Sequence, residues 1–250
     1  MSGHSKWSKI KRKKGANDAK RGQLWSKIAR RIIMAAKDGG GNLDDNLTLR
    51  YAVDEGRAAN MPNDTINKAI KKGTGELGPV SYEQMVYEGF GSGGVAVMVE
   101  CLTDNRNRTA PEMRKIFEQA GGQLGASGSV AWMFKTKGTF TIDAGATDEE
   151  TLMMTVLDAG AEDIVNEDGT FEVTCDPAAF GDVKGALADA DIPVETAAVS
   201  QLAENPIQIS DPEQAQKVLR LMDNLDEHDD VQQVYANFDI PDEVMAKVEQ

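Results

Sequence analysis

The sequence predicts an α+β protein of three domains: an N-terminal three-helix domain followed by two α/β domains, one of them ferredoxin-like and inserted into the other. Three observations carry this. Apolar residues recur at helical spacing as far as Gly75, beyond which both charge and periodicity change. Residues 138–199 then read strand, helix, strand, strand, helix, strand, the order of a ferredoxin-like unit. Finally, residues 207–238 read strand, helix, strand and supply the half missing from a unit that begins at Gly78. The expected boundaries are a basic flexible arm over 1–21, a helical domain over 22–77, a discontinuous α/β domain over 78–134 and 203–250, and the ferredoxin-like domain over 135–202.

Residues 2–21 lack apolar periodicity and read as a mobile arm. Over 23–37, Trp25, Ile28, Ala29, Ile32, Ile33 and Ala36 form one apolar stripe while Lys27, Arg30, Arg31 and Lys37 lie mostly off it, so one helix face packs and the other is basic. Gly39, Gly40 and Gly41 stop that helix. A second helix is expected over 45–59, with Leu47, Tyr51, Ala52 and Val53 packing and Pro62 just beyond. Asn63 is the expected N-cap of a third, with Ile66, Ala69 and Ile70 inward, Lys68, Lys71 and Lys72 outward, and Gly73 closing it.

Strands over 82–88 and 95–102 are joined through Gly89, Gly91 and the pair Gly93-Gly94. This joint matches G-x-G-x-x-G, but the dinucleotide fingerprint requires a helix after the glycines, and a second β-rich run follows, so a hairpin is expected. Thr109 and Glu112 read as a capping box with Pro111 in the first turn, opening a helix that buries Met113, Ile116, Phe117 and Ala120. A glycine-rich loop over 121–129 and a strand over 130–134 come next. The ferredoxin-like order then places strands over 138–142, 162–167, 170–175 and 194–199, helices over 148–159 and 178–190, and a hairpin turn at Asp168-Gly169. The last elements are a strand over 207–209, a helix over 211–225 with Ala215, Val218, Leu219 and Met222 in one stripe, and a strand over 231–238.

Charge is distributed unevenly. Residues 2–37 hold twelve basic residues against one acid, Asp18, in a chain of formal net charge −14. Through Gly75 there are 17 basic and 7 acidic residues; from Glu76 onward there are 10 basic and 34 acidic. Such a division points to a basic arm that meets a polyanion, carried on a body that a polyanion repels. The candidate nucleic-acid-binding residues are Lys6, Trp7, Lys9, Lys11, Arg12, Lys13, Lys14, Lys20, Arg21, Lys27, Arg30 and Arg31. Trp7 among cations can stack on an unpaired base while the cations hold phosphates, or it can anchor the arm on the first domain. Only Gln23 and Ser26 on the first helix are suited to reading base edges. Arg106 and Arg108, at a helix start, are a candidate anion or partner site; the alternative is pairing with the chain's own acids.

Other chemistry finds little support. Cys101 and Cys175 lie near strand ends without a neighbouring histidine and read as buried reduced thiols. His4 falls in the basic arm and His228 in the acidic run 226–230, read as a solvated loop. Glu88, Glu100 and Asp104 lie near the glycine-rich hairpin, but acids this numerous meet by chance, and there is no histidine cluster or nucleophile with an adjacent base. No catalysis, metal or cofactor is expected. No apolar run approaches the roughly 18 residues of a membrane span, and the start has no apolar segment of a secretory signal. The expectation is a cytoplasmic chain starting at Met1, with nucleic acid as partner, no membrane, and a basic protein as a further candidate partner for the acidic domains.

The run Gly3 to Trp7 with the lysines after it, Asp18-Ala19-Lys20-Arg21-Gly22, Tyr87-Glu88-Gly89-Phe90-Gly91 with Gly93-Gly94-Val95-Ala96, and residues 103–109 resemble the YebC family. The resemblance extends over essentially the whole chain. It implies a helical N-terminal domain, two α/β domains, no catalytic activity and a nucleic-acid role on the basic N-terminal segment. Relatives are described as bacterial transcriptional regulators and as a mitochondrial translational activator of cytochrome oxidase. The expected function is therefore a DNA-binding transcriptional regulator, with a ribosome-associated translation factor binding ribosomal RNA as the alternative.

Overall fold

A computed structural model describes residues 18–167 and 169–248; residues 1–17, 168 and 249–250 lie outside it. Three helices open the described chain: α1 (Asp18–Gly39), α2 (Leu47–Ala58) and α3 (Asn63–Gly73). α1 thus begins ahead of the expected domain boundary at residue 22. Ile28, Ile32, Ile33 and Ala36 of its stripe are buried with Leu49, Val53 and Ile66, and Trp25 is half-buried, its indole N–H donating to Ala59 O at 3.0 Å. The crossing of α1 and α3 is close: a Cβ on Gly73 would lie 2.4 Å from Ile33 O, which is why glycine stands there. On α2 the packing residues differ from expectation. Leu49, Ala52, Val53 and Gly56, at i, i+3, i+4 and i+7, face inward, whereas Leu47 and Tyr51 lie off that stripe and are exposed. α3 is preceded by Pro62, without a side-chain cap from Asn63.

The interrupted α/β part follows. β1 (Glu83–Phe90) and β2 (Ala96–Thr103) form the expected antiparallel hairpin, with Gly93 and Gly94 at φ 73° and 77° in its turn. α4 (Arg106–Gln119) is capped by Asn105, whose side chain accepts from Arg108 N at 3.2 Å, so Thr109 and Glu112 make no capping box and Pro111 sits inside the helix. The expected glycine-rich loop contains the short strand β3 (Gln123–Leu124), and a 3₁₀ turn (Ala131–Met133) replaces the strand expected over 130–134. After the inserted domain come β8 (Ile207–Gln208), α7 (Pro212–Asp226), β9 (Val231–Ala236), β10 (Phe238–Asp239) and α8 (Asp242–Val248), the last not foreseen in the sequence. The sheet order is β3-β1-β2-β9, antiparallel throughout, with β8 and β10 as a separate parallel pair. Apolar side chains of β2 and β9, including Val97, Val99 and Val234, pack with Met113 and Phe117 of α4 and Val218 and Met222 of α7.

Residues Met133–Glu204 separate as a compact unit; the helical part and the interrupted α/β part together make the other. The inserted unit comprises β4 (Phe134–Asp143), α5 (Glu149–Leu157), β5 (Ala161–Glu167), β6 (Thr170–Cys175), α6 (Phe180–Asp189) and β7 (Thr196–Ala203). Its antiparallel sheet has the order β5-β6-β4-β7, the ferredoxin-like arrangement. β4 is longer than expected and pairs with β7 from Phe134↔Ala203 onward, while Glu204 N donates to Met133 O at 3.0 Å. Entry and exit are thereby side by side, the geometry that lets a domain interrupt another chain segment. Phe140 and Phe180 stack at 4.9 Å in its core. Among the described residues no helix is long and apolar enough to cross a membrane.

Asn46 is buried and does three things at the α1/α2 corner: Oδ1 accepts from Leu49 N at 3.0 Å, and Nδ2 donates to Ala35 O and Gly40 O, each at 2.8 Å. Asn46→Ala should cost about 2 kcal/mol in urea unfolding, from the lost cap and the carbonyls left unpaired; Asn46→Asp keeps the cap acceptor but sets a buried carboxylate oxygen, which cannot donate, against the Ala35 and Gly40 carbonyls, so at neutral pH it should cost at least as much.

Candidate nucleic-acid interface

Positions i, i+4 and i+7 share a helix face, and on α1 this brings Gln23, Lys27 and Arg30 together. All three reach the end of α7 and the turn after it. Lys27 Nζ donates to Asp226 O at 2.5 Å and lies 3.5 Å from Asp226 Oδ1. Gln23 Nε2 donates to Glu227 O at 3.4 Å, and Arg30 donates to Asp229 O while its Nη1 lies 3.3 Å from Asp230 Oδ1. The last carbonyls of a helix have no intrahelical donor and carry the negative end of its dipole, so cations from α1 are well placed there. Lys27 is consequently only 8% exposed, and Arg30 and Arg31 are half-buried. Arg31 Nη2 pairs with Glu55 Oε1 of α2 at 2.8 Å. The outward basic face expected for α1 is thus turned largely inward.

Asp230 is the hub of this contact. It is 1% exposed, and its Oδ2 accepts from Arg108 Nη2 at 2.7 Å and from Thr109 Oγ1 at 2.8 Å. Thr103 Oγ1 lies 2.8 Å from Thr109 Oγ1. Burial by itself pushes the Asp230 carboxyl up, but the hydrogen bonds from Arg108, Thr109 and Thr103 and the Arg108 charge outweigh it, leaving the pKa below the ordinary value. Asp230 N donates to His228 Nδ1 at 3.1 Å, so the ring proton sits on Nε2, 3.0 Å from Glu112 Oε2. His228 is therefore part of a packed network and not a solvated loop residue. Glu112, His228 and Asp230 lie close enough to suggest metal ligands. Their donor atoms are already engaged, however, and Arg108, 2.7 Å from Asp230 and 3.9 Å from Glu112, occupies the position a cation would take. Arg108 thus pairs with the chain's own acids, Asp104 included at 3.2 Å, while Arg106 remains exposed in the first turn of α4.

The remaining candidates are apart. Lys6, Trp7, Lys9, Lys11, Arg12, Lys13 and Lys14 lie outside the described residues; of Lys20 the helical backbone alone is described, and Arg21 is exposed. Sequence reasoning left out a second basic region. Tyr82 lies between cations, with Arg30 5.8 Å and Lys72 5.6 Å from its ring centroid, and Lys37 Nζ is 3.5 Å from its carbonyl oxygen. Lys68, Lys71 and Lys72 are exposed on α3, with Lys68 one turn from Lys72. Their i, i+3, i+4 spacing was legible, but their proximity to Lys37 across Tyr82 was not. Of the potential base readers, Gln23 reaches Glu227 and Ser26 Oγ donates to Gly22 O at 3.0 Å.

The carboxylates near the hairpin have separate roles. Glu88 accepts from the backbone N–H groups of Gly128 at 2.6 Å, Val130 at 2.7 Å and Ala131 at 2.8 Å, pinning the glycine-rich loop; burial opposes its charge, but these bonds prevail and hold its pKa down. Glu100 is raised by burial. Burial first, then the Asp230 charge, pushes the Cys101 thiol up to about 12, so it stays protonated; Cys175 is also raised by burial, and both thiols are free.

Residues 5–76 match a family described as the TACO1/YebC protein N-terminal domain, and residues 82–238 match the TACO1/YebC second and third domain. The chain is 52% identical over 98% of its length to a probable transcriptional regulatory protein of Desulforapulum autotrophicum, 98% of which is covered. A protein of the same description from Geobacter sulfurreducens is 51% identical over 99% of this chain and 100% of its own. Among solved structures, a conserved hypothetical protein of Aquifex aeolicus aligns with a TM-score of 0.82 at 45% identity, covering 90% of this chain and 92% of that one.

Asp230→Ala removes the charged hydrogen bonds from Arg108 and Thr109 and should cost about 2 kcal/mol at neutral pH, since Arg108 is partly exposed and keeps Asp104 and Glu112. The native carboxyl titrates below the unfolded value of about 3.9, so its contribution is complete above that pH and is lost as pH falls through the native value. Asp230→Asn should flatten this part of the acid-unfolding profile, measured by urea titrations from pH 7 to pH 2; an unchanged profile would remove Asp230 from its central place.

Proposed function

Because the chain belongs to the TACO1/YebC family, we propose that it is a non-enzymatic, nucleic-acid-binding regulator of gene expression, acting first as a DNA-binding transcriptional regulator. The carrying observation is the division of charge: 17 basic against 7 acidic residues through Gly75, and 10 against 34 beyond. A polyanion is drawn to the first part and repelled by the second, which fixes its orientation before any close contact forms. The description of the bacterial relatives as probable transcriptional regulatory proteins supports the same reading.

Phosphate contacts fall in this proposal to Lys6, Lys9, Lys11, Arg12, Lys13, Lys14, Lys20 and Arg21, with Trp7 stacking on a base, and to the exposed lysines 37, 68, 71 and 72. Lys27, Arg30 and Arg31 act by positioning α1. The engagement of Gln23 and Ser26 within the chain favours backbone contact over base reading. That observation supports a second reading, binding of ribosomal RNA as a ribosome-associated translation factor, where shape and stacking suffice. The non-enzymatic character is supported by thiols that burial keeps protonated and by carboxylates engaged in structural bonds.

If about six cations meet phosphates, log K should fall against log salt with a slope of about −5 on duplex DNA and about −4 on single strands. A salt-independent affinity would defeat the proposal. Co-sedimentation with ribosomes at physiological salt, with excess duplex DNA as competitor, separates the two readings: binding that survives the DNA selects the ribosome, and transfer to the DNA selects transcription.

A further inference from the structure

The unit Met133–Glu204 carries an apolar surface that its own fold does not use. α5 is fixed in register by Asp148, whose side chain accepts from Thr151 N at 2.9 Å, and it buries Leu152 and Val156 against the sheet. Its opposite side is apolar as well: Met153 is 41%, Met154 67% and Leu157 51% exposed. A helix on the surface of a small α/β unit ordinarily gives that side to polar residues. Glu150, one turn before Met153 and Met154, and Asp158, after Leu157, are exposed at its edges. On the adjacent helix α6, an added Cβ at Gly181 or Gly185 would meet nothing within 4 Å, so the neighbouring ground is open.

Charge selects the occupant. Residues 133–204 contain three basic and sixteen acidic residues, a net charge of −13. Nucleic acid and an anionic membrane are repelled by such a surface, and a second copy of the unit carries the same charge. A basic polypeptide is attracted, and flexible methionine side chains adapt to an aliphatic or aromatic stripe laid against them. We infer that the Met153, Met154 and Leu157 face of α5 docks a basic amphipathic helix of a partner protein. This surface is separate from the basic N-terminal region and does not rest on the nucleic-acid reading.

The test uses the full chain and two 18-residue peptides of identical composition, rich in leucine and lysine. One has its leucines on a single helical face, and the other is scrambled. Binding is followed by fluorescence anisotropy at physiological salt, and the methionine methyl resonances are observed by NMR. The amphipathic peptide should bind at least about tenfold more tightly than the scrambled one and should shift the methyls of Met153 and Met154. The double substitution Met153→Gln and Met154→Gln, at positions 41% and 67% exposed, should abolish the difference, with the melting temperature measured alongside to show that the fold is kept. Equal affinity for the two peptides, or a double variant that retains the preference, overturns the proposal in favour of charge attraction alone. Methyl shifts produced by duplex RNA, by phosphatidylserine vesicles, or by protein concentration alone overturn it in favour of another occupant.

Discussion

The arrangement of the first compact unit depends on one buried carboxylate. Asp230 receives Arg108 and Thr109 on one oxygen and lies beside Arg30 on the other, so a single side chain links α1, α4 and the strand β9. Removing a carboxylate from water is costly, and the cost is offset only where several donors converge with good geometry. Here they do, and their combined pull exceeds the upward push of burial on its pKa. The Asp230 carbonyl oxygen also accepts from Leu102 N at 2.8 Å, so the residue that leads into β9 is itself tied to β2. Just beyond, the β2/β9 register shifts: Glu100 faces Gln233 and Cys101 faces Val231. Gln232 is the additional residue, and such bulges bend a strand where a side chain must be re-aimed.

This contact gives the basic face of α1 two meanings. Its cations complement the end of α7, which is a matter of stability and orientation, while the lysines around Tyr82 and on α3 point outward. The division is chemically sensible. Arginine and lysine stems can be buried while their charged ends satisfy carbonyls, whereas phosphate contacts require cations that water and ligand can reach. The acidic run 226–230 therefore works within the protein, and the larger acid excess lies on the inserted unit. There the exposed methionines of α5 add an apolar element that charge alone does not explain.

Much of the fold was legible in the sequence. The stripes on α1 and α7, the glycine-linked hairpin of β1 and β2, and the ferredoxin-like order of the inserted unit follow from periodicities set by local backbone geometry. Errors fell where two local signals competed. Thr109, three residues before a glutamate, has the pattern of a cap, but Asn105 can also cap, and the Thr109 hydroxyl is drawn instead to Asp230, which is distant in sequence. Leu47 has the look of a packing residue, yet the buried stripe of α2 runs through Leu49, Ala52 and Val53, and which of two apolar phases meets α1 is decided by packing against a segment distant in the chain.

What the sequence determined by itself is the fold class, the family and the separation of charge, because composition and short-range periodicity are properties of the chain before it folds. Tertiary structure alone decided which charges face water. Lys27 and Arg30 are indistinguishable in the sequence from Lys68 and Lys71; the first pair is engaged because α7 ends beside α1, some 200 residues later in the chain. His228 reads as a loop histidine until Glu112 and the Asp230 backbone meet its two nitrogens. Electrostatic partnership is set by distance in space and by burial, and neither is carried by spacing along the chain.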